Sequence, residues 1–70
     1  MIIEVTMENN GKSLWLNTDK IIKFYTHKSD PNNPTVTIID YEAGNDVQML
    51  TIAEEAMWLQ DMINAKYSVF

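Results

Sequence analysis

The stretch Val5-Thr6-Met7-Glu8-Asn9-Asn10-Gly11-Lys12-Ser13-Leu14-Trp15-Leu16 reads as two short strands around a tight turn. Asn-Gly is a favoured centre for a two-residue type I′ turn, because both central positions need positive φ. Counting outward from Asn10-Gly11, Asn9 faces Lys12, Met7 faces Leu14, Thr6 faces Trp15 and Val5 faces Leu16. One side then collects Ile3, Val5, Met7, Leu14 and Leu16. The other collects Ile2, Glu4, Thr6, Glu8, Ser13 and Trp15. The two apolar sets coincide across the pair, as a half-buried hairpin requires.

The rest of the chain extends this β pattern. Residues 21–28 form a third strand, with Ile22, Phe24 and Thr26 on one face and Ile21, Lys23, Tyr25 and His27 on the other. Ser29-Asp30-Pro31-Asn32-Asn33-Pro34 is loop chemistry, since proline fixes φ and Asp and Asn favour turns. Residues 35–43, rich in Thr, Val and Ile, make a fourth strand. Gly44-Asn45 turns it into a fifth over residues 46–52, pairing Tyr41 with Gln48 and Ile39 with Leu50. Thr51-Ile52-Ala53-Glu54 has the spacing of a capping box. It predicts a helix over about residues 52–66, with Ile52, Ala56, Leu59 and Ile63 on the core stripe and Tyr67 close by. The expectation is an α+β fold: an antiparallel β-meander of four to five short strands with one C-terminal helix packed on one face.

Size and charge narrow the function. Seventy residues make one domain, residues 1–70, and a domain this small buries only roughly 60% of the surface its unfolded chain exposes. There is no cysteine, so no disulfide reinforces the core and no thiolate serves as nucleophile or metal ligand. Apolar residues at 46% and charged residues at 21% give a globular balance. The net charge is −5 and arginine is absent, which argues against reading phosphates. The run Met1-Ile2-Ile3-Glu4 is too short for a signal-peptide core and lacks a basic flank. No apolar stretch reaches the roughly 18–20 residues of a membrane helix. A soluble, cytoplasmic protein is the expectation.

Two surfaces exceed what a lone domain needs. On the helical wheel Met57 and Trp58 point away from the core stripe, beside Glu54 and Asp61, and Trp58 and Met62 make an apolar edge along a carboxylate row. Trp58 either folds down over the rim of the core or serves as an interface anchor, since an exposed tryptophan rimmed by charge is the usual form of one. On the second reading Trp58, Met57, Met62, Glu54, Glu55 and Asp61 are the expected partner face. One helix covers one face of the sheet only. The opposite face would show Ile2, Trp15, Ile21 and Tyr25, and these are the expected interface of a homodimer. Charge is uneven as well. Lys12, Lys20, Lys23 and Lys28 face a single Asp19 within residues 12–28, whereas residues 40–65 hold Asp40, Glu42, Asp46, Glu54, Glu55 and Asp61 without a cation. An acidic patch keeps a small protein soluble, docks a basic partner or, as a minor alternative, imitates nucleic-acid phosphates.

Catalytic chemistry has no motif here. His27, the one histidine, sits in a strand without a neighbouring nucleophile or orienting acid, and no glycine-rich loop opens the helix. Asp40, Glu42 and Asp46 surround a turn but lack the regular oxygen spacing of a calcium loop. No cofactor and no metal are expected. Lys12, Lys23 and Lys28 with Trp15, Tyr25 and His27 sketch a small stacking platform for single-stranded nucleic acid, which the overall charge opposes.

The order Val5-Thr6, Asn10-Gly11-Lys12, Leu16-Asn17, Asp19 and Ile21, followed by Thr35-Val36, Gly44 and a closing helix bearing Glu54-Glu55, resembles the small flagellar FlbD-like proteins. The likeness covers most of the chain but rests on hairpin and capping chemistry. The proline loop at 29–34 and the Met57-Trp58 pair depart from that pattern. The resemblance implies a short, non-enzymatic, cytoplasmic interaction protein linked to the flagellar motor, with no catalytic residues to carry over. The expected function is therefore a small acidic protein-binding module, acting as an assembly factor or compact inhibitor by occupying a partner protein. A flagellar accessory role and a phage or mobile-element nucleic-acid mimic are the alternatives.

Overall fold

The computed structural model describes residues 1–28, 32 and 35–66. Among the described residues five strands and one α-helix follow each other: β1 (Ile2–Thr6), β2 (Ser13–Asn17), a 3-10 turn (Thr18–Lys20), β3 (Ile21–His27), β4 (Val36–Ala43), β5 (Asp46–Ile52) and α1 (Ala56–Lys66). The fold is α+β, with a two-stranded antiparallel sheet β1-β2 and a three-stranded antiparallel meander β3-β4-β5. The expected proline turn and Tyr67 lie outside the described residues, apart from Asn32.

A splice joins the two sheets. Met7 forms a bridge with Ile52, the Glu8 N–H donates to the Thr51 carbonyl at 3.1 Å, and the Ala53 N–H donates to the Thr6 carbonyl at 2.8 Å. The chain just beyond β1 thus lies alongside the end of β5. Ile3, Val5 and Leu16 from the hairpin meet Ile39 and Ile52 from the meander and Leu59 from α1 in one buried cluster.

The splice changes the hairpin. The two faces of β1-β2 are those expected, but the register is offset by two residues: Val5 faces Leu14, Ile3 faces Leu16 and Thr6 faces Ser13. The Met7 N–H donates to the Lys12 carbonyl at 2.8 Å and the Gly11 N–H to the Met7 carbonyl at 2.9 Å, closing a four-residue loop over residues 8–11. Only Gly11 has positive φ, at 69°, so the turn is not type I′. The backbone of Glu8, which the expected register would pair across the hairpin, bonds to β5 instead.

At the other hairpin the expected register is present. Tyr41 faces Gln48, Ile39 faces Leu50 and Ala43 faces Asp46 across Gly44-Asn45. Gly44 alone takes positive φ, 67°, the pattern of a type II′ turn.

The helix starts later than expected. Thr51 and Ile52 remain in β5, paired with Ile38 and Thr37, so the capping box does not form. The Leu59 N–H donates to the Glu55 carbonyl at 3.2 Å, which makes Glu55 the cap residue. The Glu54 carboxylate turns to β1 and takes the Thr6 N–H with both oxygens, at 2.8 and 3.0 Å. Its carbonyl accepts the Thr37 hydroxyl at 2.7 Å. Cross-strand partners outcompete a local cap because they satisfy the same backbone groups without breaking the ladder.

Candidate functional site

The six helix-side residues fall into three environments. Leu59 is fully buried, and Trp58, Met62 and Ile63 pack around it against the core. Trp58 therefore lies down over the core rim, and Met62 lies with it. Glu54 is half-buried and held by Thr6. Glu55, Met57 and Asp61 remain on the open side of α1, where Met57 is 71% exposed. Of the expected face, Met57 remains as an exposed apolar side chain with Asp61 one helical turn further on.

The expected dimer residues do not share a face. Ile2 and Trp15 stand on the outer side of the β1-β2 hairpin, with Trp15 64% exposed beside Glu4. Tyr25 is exposed on the outer face of the meander, a different sheet. Ile21 turns inward. The pairing jumps from Ile21–Tyr41 to Lys23–Asp40, so Ile22 is the extra residue of a β-bulge. The bulge cancels one step of the alternation and places Ile21 with Phe24 against the core, while Ile22 stands 55% exposed. Ile21 is accordingly not part of an exposed back face.

Sequence reasoning missed the apolar centre of the meander's outer face. Registers on both sides of β4 put Lys23, Tyr25 and His27 (β3), Val36, Ile38, Asp40 and Glu42 (β4) and Val47, Met49 and Thr51 (β5) on the side opposite Phe24, Ile39 and Leu50. Val47 and Met49 are widely exposed, Met49 at 66%. The signal was present in the Tyr41–Gln48 pairing, which points Val47 and Met49 away from the core. The bulge at Ile22 had none, because Ile21 and Ile22 are the same residue type.

Two open grooves flank the core. One of about 450 Å³ opens between the hairpin and the inner side of β4-β5, with Met7, Leu14, Leu16, Tyr41 and Leu50 on its apolar wall and Asn10, Lys12, Ser13 and Gln48 beside them. The Tyr41 hydroxyl accepts the Asn17 N–H at 3.1 Å. The other, about 540 Å³, runs between Ile63 and the start of β3, along Thr18, Asp19, Ile21, Ile22, Lys23 and Phe24.

The polar groups are spread out. Asp40 pairs with Lys23 at 3.6 Å, which separates it from Glu42 and Asp46 as a joint cation site. Among the described residues no group of three or more His, Asp or Glu side chains is placed to hold a metal. Asp19 lies 3.9 Å from the amino terminus. Lys23, Tyr25 and His27 do share a face, but Lys12 and Trp15 belong to the hairpin, so the stacking platform is divided between two sheets. No described helix is long and apolar enough to cross a membrane. Comparison with family models, with curated proteins and with solved structures finds no match to this chain.

Proposed function

We propose that this chain is a non-catalytic protein-binding module that works by occupying a partner protein, as an assembly factor or compact inhibitor. The observation that carries the reading is the outward placement of large apolar side chains in a domain with so small a core. Trp15 and Ile2 stand outward on the hairpin, Met57 on the helix, and Val47, Met49 and Tyr25 on the meander. Each is an apolar surface left in water at a cost that contact with another protein removes. Asp61 lies one helical turn from Met57 and Glu4 pairs with Trp15 across the hairpin, so each of these apolar side chains has a carboxylate beside it. Self-association belongs to the same reading. So does a cytoplasmic setting, which the absence of cysteine permits.

Acidic mimicry of nucleic acid is less well supported. Of the six carboxylates in residues 40–65, Asp40 is paired with Lys23 and Glu54 is bound to Thr6, which leaves Glu42 and Asp46 at the β4-β5 turn and Glu55 and Asp61 on α1 and its cap.

The test is capture of the tagged protein from its native lysate, with Trp15→Ser and Met57→Lys as parallel baits. A stoichiometric partner retained by the wild type and lost with one variant is the expected result, with unchanged circular dichroism for both. A flagellar-motor partner would join the protein to the FlbD-like group it resembles. Equal recovery with all three baits overturns the assignment of these anchors.

A further inference from the structure

From the tip of the first hairpin we infer that Asn10 is a site of spontaneous covalent modification. Its side-chain amide is lost to attack by the Gly11 backbone nitrogen, at a rate set by opening of the loop. The chemistry is independent of the docking surfaces proposed above.

The residue types come first. Asn10 is the one asparagine of the chain that glycine follows. Ring closure needs the next residue's nitrogen to reach the asparagine Cγ, and glycine puts no Cβ in the way. Both residues are exposed, and nothing lies within 4 Å of where a Gly11 Cβ would stand, so a succinimide ring has room.

Two hydrogen bonds then act in opposite directions. Asn10 Oδ1 accepts the Lys12 N–H at 2.9 Å. That donor polarises the side-chain carbonyl and stabilises the oxyanion formed when Cγ is attacked. The nucleophile is held back. The Gly11 N–H donates to the Met7 carbonyl at 2.9 Å, and this bond must open before the nitrogen gives up its proton. Loop tips open locally at low free energy, so the reaction proceeds from the open loop.

Other asparagines lack the combination. Asn17 precedes Thr18, whose N–H donates to the Met1 carbonyl at 2.8 Å and whose β-branch crowds the nitrogen. Asn45 precedes Asp46, which is paired with Ala43 in the β4-β5 ladder.

The atoms balance with water as the co-reactant. The Gly11 nitrogen loses its proton to hydroxide and bonds to Asn10 Cγ. The Cγ–Nδ2 bond breaks and ammonia leaves. Water then opens the ring at Cγ, giving aspartate, or at the main-chain carbonyl carbon, giving isoaspartate. Either product places a new carboxylate beside Lys12 at the groove between the hairpin and β4-β5. Isoaspartate also routes the backbone through the side-chain carbons. It thereby lengthens by one methylene the loop that the Met7–Lys12 and Gly11–Met7 bonds close.

Incubation of the folded protein in mildly alkaline buffer, read by peptide mapping with isoaspartate detection, tests this. Conversion is expected at Asn10 ahead of Asn9, Asn17 and Asn45, and Asn10→Gln should abolish it. The chain unfolded in guanidinium chloride should convert several-fold faster than the folded one. Guanidinium chloride below the unfolding transition should raise the Asn10 rate and the Gly11 amide exchange rate by the same factor. The isoaspartate form should lose exchange protection at Gly11, whereas Asn10→Asp, with a normal backbone, should keep it. Conversion that begins at another asparagine overturns the proposal, as does an Asn10 that stays intact in the folded protein while the unfolded chain converts. Equal rates in folded and unfolded chain show that the Met7 bond is no gate, and overturn it too. Neither Met57 nor Trp15 enters any of these readouts, so this inference and the docking reading fail separately.

Discussion

The two hairpins of this protein carry the same kind of turn signal and obey it differently. Gly44-Asn45 closes β4-β5 with the register that counting outward from the turn demands. Asn10-Gly11 sits in an equally regular context, yet β1-β2 is offset by two residues and closes through a four-residue loop. The difference lies in what surrounds the tips. The β4-β5 tip is exposed, and only local chemistry acts on it. At the end of β1 and just beyond it the backbone is claimed from across the fold: the Glu8 N–H donates to the Thr51 carbonyl, the Thr6 carbonyl accepts from Ala53, and the Thr6 N–H donates to the Glu54 carboxylate. Turn residues set register only where no other strand competes for the same backbone groups.

The strongest way to break the comparison is to remove the core that presses the sheets together. Ile39→Ala empties a fully buried site on the meander, and Leu59→Ala does the same on the helix. Each should cost about 2–5 kcal/mol in urea unfolding. For a 70-residue domain that approaches the whole of the stability, so the expected readout is a loss of the cooperative transition. A small, well-tolerated effect at Ile39 would mean that the two sheets fold separately.

The splice itself is tested by Glu54→Ala. The Thr6 N–H then loses its acceptor, and an unsatisfied backbone donor of this kind costs about 1–3 kcal/mol. Glu54→Gln keeps an oxygen for the same bond and should fall well short of that loss. Hydrogen exchange at Thr6 separates the two outcomes residue by residue, because exposure of that amide follows the bond and not the charge.

How much of this was legible in the sequence follows the same division. Strand number, the presence of the helix, the two faces of β1-β2 and the β4-β5 register were legible, since burial of one face enforces period two and the Gly44-Asn45 turn sets the pairing. The break between β2 and β3, which divides the expected meander into two sheets, was not. The hairpin register, the helix start and the facing of Ile21 were not legible either. Each depends on a partner distant in the chain: Thr51 for Glu8, Thr6 for Glu54, and Tyr41 and Asp40 for the bulge at Ile22. The candidate surfaces were less legible still. The helical wheel leaves Trp58 open between core rim and partner face, and the packing of Trp58 and Met62 against the buried cluster decides for the rim. Val47 and Met49 were readable from the Gly44-Asn45 register alone.

A smaller effect sharpens the contrast at the turns. Gly11 and Gly44 both have positive φ and open space where a Cβ would go, so alanine meets no clash at either. The backbone preference alone should cost about 1–2 kcal/mol at each, and nearly the same at both. A distinctly larger loss at Gly11 would show that the four-residue loop is under strain from the splice, and equal losses would show that the offset register is relaxed.

The smallest expected effect decides between a strand and a cap. If Thr51 capped the helix, Thr51→Val would remove the hydroxyl that holds a free N–H and cost about 0.5–2 kcal/mol. In the fold described here Thr51 is a β5 residue that offers its carbonyl to Glu8 and pairs with Ile38. Valine keeps the β-branch that a strand favours and leaves both backbone contacts in place. Thr51→Val should therefore stay within about 0.5 kcal/mol of the wild type, a near-silent substitution at the position where the local motif is most persuasive. A clear loss there, with unchanged exchange at Glu8, would return the start of the helix to Thr51 and with it the outward wheel of Trp58.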